Sequence, residues 1–174
     1  MEAVRFKLLP EVPKSLDAVA DAQRAVPLVP ASEDDCTARL LRRLDFPSRD
    51  VARTWLTFLR ALELATETPS GFVRESTEPT PEHLRSAFER RIYGAREVLG
   101  SLETGEPRTV DDVFADFEAR VPVWETHRAA GDWRDVWRER VERIVEWAVL
   151  LDLAAERDEG YVRVERSDSP RRRT

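Results

Sequence analysis

Lysine is nearly absent from this 174-residue chain: 26 of its 28 basic side chains are arginine, with only Lys7 and Lys14 besides. Cysteine occurs once, at Cys36, which excludes an internal disulfide and fits a reducing compartment. The six glycines are scattered and build no phosphate-cradling loop. His83 and His127 stand apart from any cysteine pair or metal-ligand spacing, which speaks against a zinc site. No serine has a nucleophile-elbow context, and Cys36 falls on the apolar stripe of a helix, where a thiol is inert. Apolar runs stay well short of the ~20 residues of a membrane span, and the N-terminus has no signal-peptide core. These absences predict a soluble, cytoplasmic, non-catalytic protein with no metal and no cofactor.

What the chain has instead is charge and helical periodicity. Acidic residues number 34 and the net charge is −6, while 41% of residues are hydrophobic, enough for two small domains with modest cores. An acidic, lysine-poor balance of this kind resembles that of proteins from salt-loving archaea, in which carboxylates hold hydration at high ionic strength.

The stretch from Ser48 to Arg74 organises the rest. Val51, Trp55, Phe58, Leu59 and Leu62 recur at three-and-four spacing on one side of a helix, with Arg49, Arg53 and Arg60 on the other. Leu64 and Thr66, then Phe72 and Val73, flank Thr68-Pro69-Ser70-Gly71, the pattern of a hairpin. The same layout returns 89 residues later: residues 62–74 and 151–163 share seven of thirteen positions. The chain therefore reads as mainly α with small β-hairpin wings, in two tandem copies related by internal duplication.

In chain order, residues 1–14 form an N-terminal arm carrying Val4, Phe6 and Leu8. Ser15 opens a first helix (Leu16, Val19, Ala20, Val26), which Pro27 and Pro30 end. Ser32 caps a second helix with Glu33, Asp34 and Asp35 in its first turn and Cys36, Leu40, Leu41 and Leu44 inward; the acid triplet is a cap rather than a metal site. Asp45-Phe46-Pro47 turns into the Ser48 cap of the third helix. After a polar joint, Thr80 and Pro81 start one long helix lined by Leu84, Phe88, Ile92, Ala95, Leu99 and Leu102. Thr109 caps the next, with Val110, Val113, Phe114, Phe117 and Val121 as its stripe. Beyond Pro122, Trp124 and His127 belong to an extra turn, and a final helix from near Asp132 to Leu151 carries Trp133, Trp137, Val141, Ile144 and Ala148 inward, with Trp147 also read as core. A hairpin over residues 153–164 and an Arg-rich, disordered tail at 167–174 complete the chain. Leu56 falls at the edge of the Arg stripe, outside the core positions, and Tyr93 points away from its helix's apolar face as a surface contact.

Residues 15–76, three helices followed by a hairpin, resemble a winged helix-turn-helix domain; residues 77–166 resemble a second, with an insertion. The resemblance implies that residues 48–62 are the recognition helix, which in that family enters the major groove while the wing touches the backbone. It makes Arg49, Arg53, Thr57 and Arg60 the candidate contacts to double-stranded DNA, with Arg42, Arg43 and the wing's Arg74 holding phosphates. The corresponding helix of copy two presents Asp135, Glu139, Glu142 and Glu146, flanked by Arg138 and Arg143, a face suited to a protein partner or a homodimer. Residues 1–76 carry a net −1 and residues 77–160 a net −8, so phosphates should accept the first helix and repel the second. The expected function is a DNA-binding, transcription-regulator-like protein. The alternative is a non-catalytic scaffold whose tandem winged helices have lost nucleic acid, with the Arg stripe paired to nearby carboxylates.

Overall fold

The computed structural model describes residue 6, residues 8–118 and residues 133–164. Val4, Val121, Pro122, Trp124, His127, Asp132 and the Arg-rich tail lie outside the described residues. Copy one runs α1 (Asp17–Ala25), α2 (Glu33–Leu44), α3 (Arg49–Ala61), then β1 (Ala65–Thr68) and β2 (Gly71–Arg74). Next come α4 (Pro81–Arg91), then α5 (Ala95–Ser101), α6 (Val110–Glu118), α7 (Trp133–Leu150), β3 (Ala154–Arg157) and β4 (Gly160–Arg163) of copy two.

Capping side chains set most of the helix starts. Ser32, Ser48 and Thr80 accept from the amides of Asp35, Val51 and His83 at 3.1–3.2 Å. Thr109 and Asp112 close a reciprocal box, each side chain bonded to the other's amide. Asp45 takes a left-handed φ of 54° to end α2, so three residues suffice to turn into the Ser48 cap.

The two copies match in detail. β1 pairs antiparallel with β2 and β3 with β4, and each hairpin gains a third partner from the loop before the copy's second helix. Ala31 exchanges two backbone bonds with Phe72 (2.9 and 2.7 Å), and Arg108 does the same with Tyr161 (2.9 and 2.8 Å). Glu63 and Asp152, which follow α3 and α7 at equivalent positions, both adopt positive φ. One hydrophobic core runs through both copies, from Val19 and Leu40 to Trp147 and Ala154.

Three expectations need correction. The long helix is two: Ile92 leaves helical geometry and Gly94 takes φ 87°, where a Cβ would lie 2.8 Å from the Phe117 ring. The apolar spacing continues across this break, but the backbone is drawn off to pair with the N-terminal arm: Phe6 N–H donates to Arg91 O (2.7 Å) and Tyr93 N–H to Phe6 O (2.9 Å). Leu56 is core, 2% exposed and part of the hydrophobic cluster, at the edge of a cleft that the arm's Leu8 and the wing's Phe72 also line. Tyr93 packs against the core, its ring 5.7 Å from that of Trp137.

α4 ties the copies together. His83 Nε2 hydrogen-bonds Leu62 O at 2.8 Å, and Arg85 Nε donates to Leu151 O at 2.7 Å; Leu62 and Leu151 are equivalent positions at the ends of α3 and α7. One helix thus satisfies the last carbonyls of both.

Candidate nucleic-acid interface

The turn between α2 and α3 brings the exposed arginines of copy one together. Arg42 and Arg43 occupy the last turn of α2, and Arg49 is the first residue of α3, beside its free amides. All three are exposed, and among the described residues none pairs with a carboxylate; Arg43 reaches only Arg24 O, at 3.4 Å. The partial positive charge at the α3 N-terminus adds to theirs.

Along α3 the stripe is progressively consumed. Arg53 bonds Glu33 at 3.3 Å and Asp50 at 3.5 Å. Thr57 is half-buried and lines a cleft with Leu8, Leu56 and Phe72. Arg60 pairs with Glu67 of β1 at 3.1 Å while its guanidinium lies 5.5 Å from the centroids of both Phe6 and Phe72. It clamps arm, helix and wing in one contact, through packing as much as charge. Arg74 is also turned inward, donating from Nε to Val26 O at 2.8 Å and from Nη2 to Arg24 O.

Two hairpins, each closing a three-helix set and each fed by a bridge strand, match the halobacterial double winged helix domain, which the sequence fits over residues 4–168. The chain belongs to that family. No curated protein and no solved structure matches it. Winged helices are folds that commonly carry DNA-binding rather than catalytic surfaces. Within this double winged helix chain no helix among the described residues is long and apolar enough to cross a membrane. Nor do three or more His, Cys, Asp or Glu side chains of those residues gather as a metal site would require. Cys36 is buried, with Sγ 3.8 Å from Ala31 O, and burial raises its thiol pKa, which keeps it in the unreactive protonated form.

The second winged helix presents a different surface. Asp135 and Glu139 are exposed on α7, Glu139 lying 3.9 Å from Arg143. Glu142 lies 3.6 Å from Arg138, which is held by Asp111 at 2.6 Å. Glu146 is partly buried; burial raises its pKa against the pull of Arg143, and Glu142 and the arm's Glu11 raise it further. The arm continues past it, Pro10 O accepting from the buried Trp147 Nε1 at 2.8 Å.

Arg39 and Arg24 also lie beside this basic surface, through Ala25 O and the Arg43 contact. Arg39 stands three and four residues before Arg42 and Arg43, a spacing that puts all three on one side of α2, which was the available signal.

Proposed function

We propose that this double winged helix chain is a cytoplasmic, DNA-binding, transcription-regulator-like protein. Copy one meets the duplex with the α2–α3 turn, and copy two offers Asp135, Glu139, Glu142 and Glu146 to a protein partner or a second copy of the chain. In this reading residues 1–14 are an arm, 15–76 the reading domain, 77–166 the partner domain and 167–174 a tail. The observation that supports it is the trio Arg42, Arg43 and Arg49, exposed around one turn and, among the described residues, none of them paired with a carboxylate. Arg49 would reach bases or phosphates from the N-terminal end of α3, the end that helix-turn-helix proteins present to base edges. Arg42 and Arg43 would neutralise backbone phosphates. Arg53, Thr57, Arg60 and Arg74 would act behind them, by holding the helix and wing in place.

The test is fluorescence anisotropy of random-sequence duplex DNA across a salt series, beginning at the lowest salt at which the protein stays folded. The expected result is binding that weakens with salt. Changing Arg42, Arg43 and Arg49 together to Ala should flatten the slope of log K against log salt by roughly 2 to 3, close to one unit per lost phosphate contact. Absence of binding by the intact chain at every salt would discard this reading. It would favour the scaffold, a reading supported by the neutralisation of Arg53 and Arg60 through Glu33, Asp50 and Glu67.

A further inference from the structure

The C-terminal end of α1 gathers four arginines, of which Arg24 alone pairs with a carboxylate. Arg39 Nε donates to Ala25 O at 2.8 Å, Arg74 Nε to Val26 O at 2.8 Å, and Arg43 Nη1 reaches Arg24 O at 3.4 Å. Arg24 itself pairs with Asp21 at 2.8 Å. Among the described residues no carboxylate pairs with Arg39, Arg43 or Arg74. The helix dipole contributes only about half a negative charge at this end, too little to balance three cations. Each guanidinium carries five N–H donors, and the carbonyls take one or two from each, so most donors are left over.

The duplication supplies an internal comparison. Arg74 corresponds to Arg163, and with the caps Ser32 and Thr109 aligned, Arg39 corresponds to Asp116. In copy two, Arg163 pairs with Glu89 at 3.4 Å and with Glu103, while Asp116 pairs with Arg108 at 2.8 Å. Copy two balances its charges internally at the place where copy one does not. Burial lowers the Arg74 pKa, and the fields of Arg43, Arg39 and Arg24 lower it further, so the cluster is assembled against its own repulsion.

We propose that the C-terminal end of α1, ringed by Arg24, Arg39, Arg43 and Arg74, is a seat for a phosphate group, carried by a nucleic-acid backbone or by a free polyphosphate. Guanidinium forks match phosphate oxygens two at a time, and an entering phosphate relieves the repulsion among them. The site does not depend on the α2–α3 turn reading, with which it shares Arg43 as a phosphate contact and Arg74 only as a residue that holds the wing.

The test follows the Nε–Hε NMR signals of Arg39 and Arg74 in the full chain. Sodium tripolyphosphate and random-sequence duplex DNA are titrated separately at matched ionic strength. Saturable shifts of both signals are expected, with affinity at least tenfold weaker in Arg39→Asp, which installs the residue copy two carries. Should that variant fail to fold, Leu28→Glu places a carboxylate at an exposed position that follows Pro27 as Glu103 follows Leu102, the two residues whose carbonyls accept from the Arg74 and Arg163 amides. Shifts with the duplex assign the seat to a backbone phosphate, and shifts with tripolyphosphate alone assign it to a free polyphosphate. No saturable shift with either, or equal shifts at Arg42 and Arg49 in the tripolyphosphate titration, would overturn the proposal. Duplex binding that moves Arg42 and Arg49 but neither Arg39 nor Arg74 would overturn it and leave the DNA-binding reading standing.

Discussion

Phe58 and Trp147, which occupy the same position in the two copies, meet with ring centroids 4.5 Å apart. Trp55 joins them, edge-on to Trp147 at 6.0 Å, so α3 and α7 pack against each other through their own apolar faces. Both Phe58 and Trp147 are fully buried. Trp147→Ala should therefore cost about 3 to 5 kcal/mol, and urea unfolding should remain one transition, because the cavity opens in a core common to both copies. Two separated transitions in the wild-type chain would show that the copies are not coupled this way. Trp147→Phe keeps an aromatic ring against Phe58 but leaves a smaller cavity and an unpaired Pro10 O, for about 1 to 3 kcal/mol.

Arg60 and Arg49 separate stability from charge. Arg60→Ala removes the clamp on Phe6, Phe72 and Glu67 and should lower stability by roughly 1 to 2 kcal/mol. Arg60→Lys should recover only part of it, since an ammonium cannot stack as a guanidinium does. Arg49→Ala should leave stability within about 0.5 kcal/mol and weaken DNA binding. Chemical denaturation beside anisotropy distinguishes the two; equal stability losses would contradict the assignment.

Much of this architecture is legible in the chain itself. Caps such as Ser48 and Thr80 act within three residues of themselves, and the Pro69–Gly71 turn is equally local, so helix starts and wings can be read directly. What escapes is what a distant segment imposes. Nothing near Ile92 announces that Phe6 will pair with it, nothing near Leu56 that Leu8 of the arm will line the same cleft, and nothing near Arg60 that two rings will flank it. Ala31 and Arg108 contribute single bridges, too short to show strand alternation. The arginines of the candidate interface were visible, but which would be spent on Glu33, Asp50 and Glu67 depended on the packing of arm and wing.

Gly71 and Gly100 should respond in opposite directions. Gly71 holds φ 127° at the start of β2, and a Cβ there would sit 2.4 Å from the Ala31 carbonyl oxygen. Gly71→Ala should cost about 2 kcal/mol or more, as strain and as loss of the bridge that joins the wing to the loop before α2. Gly100, inside α5, has nothing within 4 Å of a built Cβ, so Gly100→Ala should stabilise by up to about 1 kcal/mol. Thermal melts read both; a neutral Gly71→Ala would mean that the wing is not held by Ala31.

Glu146 gives a pH test. Its folded-state pKa is raised, chiefly by burial, above the unfolded carboxylate value near ~4.3. The folded state then binds its proton more tightly than the unfolded chain, so this group's contribution is most favourable below the unfolded value and is lost as pH rises through the folded one. Glu146→Gln should raise the melting temperature at pH 7, with the gain shrinking toward zero as pH falls below 4. A gain that persists at low pH would place the strain elsewhere.

The ring contact between Phe58 and Trp147 also constrains the shape of any target. Helices whose buried rings meet in this way lie about one helix diameter apart there, ~10–12 Å, whereas paired readers occupy grooves ~34 Å apart along the duplex. α3 and α7 of one chain therefore cannot read the two arms of an inverted repeat. A duplex bound through copy one would be recognised as a single directional site, so a selection for its sequence should return motifs without a dyad.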